Sequence, residues 1–89
     1  MNDQKKIFLV DDDEFLLDMY SVKFRESGFQ VDLARGGEEA LAVLRQGLAP
    51  DIILLDIVMP AIDGFEFLRI SGKENLCKNS KVIILSNLG

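Results

Sequence analysis

The chain has 89 residues, 48% of them hydrophobic, and its 10 basic and 15 acidic side chains leave a net charge of −5. That length holds one domain at most, spanning 1–89, and a chain of this size buries only about 60–65% of its unfolded surface, so its stability margin is small. The acidic balance disfavours direct nucleic-acid binding by this segment, no apolar run approaches the ~20 residues of a membrane span, and one cysteine with no histidine excludes an internal disulfide, His-based triads and His metal sites.

The opening MNDQKKIFLVDDD carries two lysines but an apolar run too short for a signal peptide, and the lone Cys77 fits a reducing compartment. The chain is therefore expected in the cytoplasm. Lys6 to Val10 (KIFLV) reads as a first strand that ends abruptly in Asp11, Asp12 and Asp13. The following FLLDMYSVKFRESG reads as a helix, with Phe15, Met19 and Val22 on one stripe, Leu16, Tyr20 and Phe24 beside it, and Gly28 as its stop. Asp13 is expected to cap that helix.

Phe29 to Leu33 alternates apolar and polar, as a half-covered or edge strand does. Ala34 to Gly37 makes a turn, and Glu38 to Gln46 reads as a second helix with acidic residues in its first turn and an apolar face of Ala40, Leu41, Val43, Leu44 and Leu48. Asp51 to Gly64, DIILLDIVMPAIDG, holds the pattern the rest is arranged around. Its unbroken run Ile52-Ile53-Leu54-Leu55 suits a parallel strand covered on both faces, and Asp56 sits where that strand emerges. A loop through Met59-Pro60 leads to a third helix starting at Asp63 or Gly64 and carrying Phe65, Phe67, Leu68 and Ile70, weakened at Gly72. KENLCKNS reads as polar linker, and Lys81 to Leu85 as a fourth strand ending on Ser86-Asn87. Met59 and Phe65 are expected to pack rather than to contact a ligand.

Strands alternating with helices imply a parallel sheet with right-handed crossovers. There is no G-x-G-x-x-G and no P-loop; Gly36-Gly37 lacks the further glycines or the lysine of a phosphate cradle. Parallel strands put their C-termini on one rim, where open α/β sheets gather their chemistry, so Asp11-Asp12-Asp13, Asp56 and Ser86 can converge. Crowded carboxylates repel and raise the pKa of at least one of them. A hard divalent cation such as Mg²⁺, which takes oxygen ligands, relieves that repulsion. A carboxylate beside such an ion can attack a phosphoryl group to form an aspartyl phosphate, and a hydroxyl such as that of Ser86 can donate to the phosphoryl oxygens.

VDDDEF, LLDIVMPAIDG and VIILSN, in this order and spacing, resemble the receiver domain of two-component response regulators, from Lys6 to Gly89. The resemblance implies a three-layer, flavodoxin-like α/β fold with the parallel strand order 2-1-3-4-5. It implies Asp56 as phosphoacceptor, Asp12 as the direct Mg²⁺ ligand, Asp11 acting partly through water, and the Val58 backbone carbonyl as a further ligand. Ser86 matches the switch hydroxyl, and Met59, Pro60 and Gly64 the loop that shapes the pocket. Asp13 matches no essential family position. The implied partner is a histidine kinase or phosphotransfer protein, and the implied role is signalling without turnover of an external substrate.

One departure accompanies these matches. The chain stops just past the fourth strand, so the family's fourth helix, fifth strand and fifth helix have no counterpart, and neither does its lysine: Lys73, Lys78 and Lys81 all precede that strand's end. The expected consequence is an exposed apolar edge on the fourth strand, favouring self-association or strand exchange over a simple monomer. An alternative role follows, a truncated receiver that serves as a folding or assembly fragment and signals poorly. A third, remote reading is a haloacid-dehalogenase-type hydrolase. Asp11 and Asp13 have its D-x-D spacing, but Phe15 stands in its Thr/Val position and the D-x-x-M-P loop is foreign to it.

Overall fold

In the computed structural model, which describes residues 4–85, seven elements alternate: β1 (Lys6–Val10), α1 (Glu14–Glu26), β2 (Gln30–Ala34), α2 (Gly37–Arg45), β3 (Ile52–Asp56), α3 (Gly64–Lys73) and β4 (Lys81–Leu85). The four strands form one parallel sheet in the order β2-β1-β3-β4. This is the expected flavodoxin-like arrangement over the strands present, with β2 as the edge strand its alternating sequence predicts.

Side chains alternate across a strand, and β1 shows the result. Phe8 and Val10 join Ile53, Leu55, Ala34, Ala40, Leu41, Leu44, Met59 and Phe67 in one core, on the face covered by α2 and α3. Ile7 and Leu9 join Leu54 and Leu17 in a second core under α1. The three layers are thus one helix, the sheet and two helices. Met59 packs in the larger core as expected, whereas Phe65 is 65% exposed and does not pack.

Two expectations need correction. The Phe15-Met19-Val22 stripe of α1 points outward, with Phe15 74% exposed; the buried residues are Leu17 and Ser21, flanked by the half-buried Tyr20 and Phe24. The segment after α3 is not merely polar linker: Leu76 and Cys77 pack against the larger core. Helix ends follow local chemistry. Asp13 Oδ1 accepts from the amides of Phe15 and Leu16, and Asp63 Oδ1 accepts from that of Glu66. Gly28 (φ 93°) and Gly47 (φ 112°) take the left-handed conformation that closes α1 and α2.

At the end of the sheet opposite the carboxylate rim, one residue joins three strands. Asp51 donates its amide to the Lys6 carbonyl, accepts the Lys81 amide on its own carbonyl, and accepts the Lys6 amide on Oδ2 at 2.8 Å. It therefore ties the starts of β1, β3 and β4.

Candidate functional site

The register of the strands builds the site. Val10 pairs with Leu55, so the residues that follow them, Asp11 and Asp56, leave adjacent strands side by side. The ladder continues one step further on the other flank, where the Asp11 amide donates to the Ala34 carbonyl at 3.1 Å. Asp12 then turns outward at the start of α1. One carboxylate oxygen from each of Asp11, Asp12 and Asp56 lies within 4.8 Å of the others.

The three differ in environment. Asp11 is only 7% exposed, Asp56 is half-buried and Asp12 is exposed. Desolvation pushes the Asp11 carboxyl above its ordinary range, and the charges of Asp56, Asp12 and Asp13 push it the same way. The Asp13 amide, donating to Asp11 Oδ1 at 3.0 Å, opposes them. Among the described residues, nothing basic lines the surrounding cleft of about 850 Å³. Its walls are Asp11, Asp12, Asp13 and Asp56, with Leu16 and Tyr20 of α1 on one side and Val58, Ile84 and Leu85 on the other.

These residues fit magnesium. The donors are hard carboxylate oxygens without nitrogen or sulfur, and opposite ligands of an octahedral Mg²⁺ lie about 4 Å apart, close to the observed spread. A cation here would also offset the desolvation and the carboxylate repulsion that together lift the Asp11 pKa. Asp11, Asp12 and Asp56 would hold it, with Val58 on the same cleft wall.

The β3–α3 loop is shaped by close packing. The Gly64 amide donates to the Ile57 carbonyl at 2.8 Å. A Cβ on Gly64 would lie 2.7 Å from the Asp56 carbonyl oxygen and 2.8 Å from the Ile57 Cα, so only glycine fits. Within the loop, Met59 is buried, Pro60 is exposed, and Ala61 holds a left-handed φ of 66°. Ser86, the expected switch hydroxyl, lies outside the described residues, directly after Leu85, which pairs with Asp56.

Sequence reasoning missed two contributors. Tyr20 forms part of the cleft wall, though its helical spacing read as packing. Gly37, read as part of a turn, is buried against Ile62 of the β3–α3 loop. No local sequence signal singles out Gly37, because the residue it packs on lies in a distant loop.

Comparison with known proteins places this geometry. The family model for the response regulator receiver domain matches residues 7–89. The DNA-binding response regulator MtrA of Mycolicibacterium smegmatis is 34% identical over 67 residues, covering 75% of this chain and 29% of that protein. RpaA of Synechocystis, a DNA-binding dual master transcriptional regulator, is 31% identical over 84 residues, covering 94% of this chain and 34% of that protein. The chain thus spans about a third of the length of these curated relatives. Among solved structures, the receiver domain of the Francisella response regulator 1452 is 38% identical, with a TM-score of 0.83 over 96% of this chain and 68% of that one. The response regulator TrrA of Thermotoga maritima, solved with Mg²⁺-BeF, is 35% identical, with a TM-score of 0.82 over 93% of this chain and 70% of that one.

Proposed function

The chain belongs to the response regulator receiver family, and from that premise we propose that it is a phosphoacceptor signalling domain in which Asp56 receives a phosphoryl group from a histidine kinase or phosphotransfer protein. The observation that carries the reading is the convergence of the Asp56 carboxylate with those of Asp11 and Asp12 at one strand-end rim. The match over residues 7–89 favours it over the assembly-fragment reading, and the D-x-x-M-P loop disfavours the hydrolase.

In the proposed reaction an Asp56 carboxylate oxygen attacks phosphorus. The bond from phosphorus to the donor's imidazole nitrogen breaks, and that nitrogen keeps the electron pair. The product is an acyl phosphate on Asp56 and a neutral donor histidine. Bound Mg²⁺ supplies neutralisation of the charge on the transferring phosphoryl oxygens. Asp12 and Asp11 would hold the ion, Asp12 directly and Asp11 partly through water, and the Val58 carbonyl would add a ligand. Gly64, packed on the Asp56 carbonyl, fixes the carboxylate's backbone so that attack costs no rearrangement of the strand end. Ser86 donates its hydroxyl to a phosphoryl oxygen of the product, and the resulting population shift is the signal. The domain turns over no external substrate and works in the cytoplasm, where its donor kinases deliver phosphoryl groups.

Intact-mass spectrometry after incubation with acetyl phosphate tests the reading. The expected result is a Mg²⁺-dependent gain of one phosphoryl group that Asp56→Asn abolishes. No gain under conditions that label a known receiver, or a gain surviving in Asp56→Asn, would overturn it.

A further inference from the structure

The Gly36-Gly37 pair is a sequence feature the phosphoacceptor reading leaves unused, and its two members differ. Gly36 has an extended backbone (φ 173°), and a Cβ there would meet nothing within 4 Å. Gly37 opens α2 and is buried, and a Cβ there would lie 2.8 Å from Ile62 Cγ2 and 2.9 Å from both the Cβ and the carbonyl oxygen of Ile62. We propose that Gly37 is a positioning residue for the metal pocket: its missing side chain lets the start of α2 press on Ile62 and hold the β3–α3 loop in the shape that presents Val58 to the cation.

The argument rests on what could yield if residue 37 had a side chain. A new rotamer of Ile62 clears only Cγ2, because its Cβ and carbonyl oxygen are as close. The start of α2 is tethered, since Glu39 Oε2 accepts the Arg35 amide at 2.7 Å while Ala34, the residue before it, is bonded to Asp11. The far end of the loop is fixed too, by the Gly64 amide on the Ile57 carbonyl and by the contact of Gly64 with Asp56. The displacement is therefore driven into residues 58–61, the stretch that contains Val58. Gly37 touches no ligand itself and acts through Ile62 and the loop. Groups that only orient metal ligands change metal affinity by about 10–100-fold when altered.

This inference depends on the receiver reading, and one titration separates the two. Mg²⁺ alone is added to ¹⁵N-labelled wild type, Gly37→Ala, Gly36→Ala and Ile62→Ala under conditions where far-UV circular dichroism shows each folded. Gly37→Ala is expected to weaken Mg²⁺ binding about tenfold and to shift the Val58 amide resonance before any metal is added. Ile62→Ala, which slackens the same contact from the loop side, is expected to weaken binding about threefold. Gly36→Ala is expected to stay within about twofold of wild type. A folded Gly37→Ala that binds Mg²⁺ like wild type overturns the proposal. If Gly37→Ala does not fold, Ile62→Ala decides alone: wild-type affinity overturns the proposal, and a threefold loss with a shifted Val58 amide supports it. A wild type that takes no Mg²⁺ overturns the receiver reading and this inference with it.

Discussion

Asp11 shows what the site costs the fold. Its carboxyl is buried and crowded by three other carboxylates, so its folded pKa lies above the ordinary value of 3.8. A raised carboxyl pKa means that the folded state binds the proton more tightly than the unfolded one. Stability then rises as pH falls through the folded pKa down to the unfolded value, and at neutral pH the charge is destabilising. Asp11→Asn keeps an oxygen to accept the Asp13 amide and removes the charge. It is expected to stabilise the metal-free chain by about 1 kcal/mol in urea unfolding while weakening Mg²⁺ binding in the titration above. Destabilisation without metal would contradict this account. The rim carboxylates were legible in the sequence because residue type and strand-end position sufficed to find them. Asp13 was legible as a cap for the same reason. Gly37 was not, because its importance comes from a residue 25 positions away in a loop whose path no local pattern describes.

At the scale of elements, every strand and helix was legible to within a residue or two, but the facing of α1 was not. Apolar residues lie on more than one side of this helix, so periodicity alone does not choose a face. The residue that marks the buried side is Ser21, a polar one, and its hydroxyl has no hydrogen-bond partner among the described residues. The caps make separable contributions. Asp63→Ala is expected to cost about 1 kcal/mol of stability, measurable by denaturant midpoint, because Asp63 Oδ1 holds the Glu66 amide at 2.8 Å. Helices α2 and the end of α3 are joined by Arg45, whose Nε and Nη2 both donate to the Glu74 carboxylate. The hydrogen bonds from Arg45 hold the Glu74 carboxyl below its ordinary value of 4.5. A depressed carboxyl pKa contributes stability above the unfolded value and loses it as pH falls through the folded one. The pair is solvent-exposed, so the effect is small. Arg45→Gln is expected to return the Glu74 titration, followed by carboxyl-carbon NMR, to the ordinary range. An unchanged midpoint would show the pair to be absent in solution.

For the whole molecule, a small domain with two thin cores has little reserve. Phe67 is fully buried in the larger one, and Phe67→Ala is expected to cost about 3–5 kcal/mol, enough to leave the chain largely unfolded by circular dichroism at 25 °C. On the flank of the sheet, β4 pairs with β3 alone among the described strands, and Ile83 and Ile84 are 40% and 44% exposed. Such an edge favours pairing between chains. Light scattering of the 89-residue chain at tens of micromolar is expected to show association that Ile84→Lys reduces, and a monodisperse wild type would sink the idea. At the opposite end of the sheet Asp51 joins three strand starts. Amide hydrogens there should exchange with solvent as one cooperative unit, since opening any of the three strands at its base releases the others. Among the described residues the rim has no single residue joining three strands, only the Asp11 amide on the Ala34 carbonyl between β1 and β2, so its strand ends are expected to exchange faster than the base. The consequence is a polarity along the strands: the base is expected to hold their register while the carboxylate end is the part expected to open first.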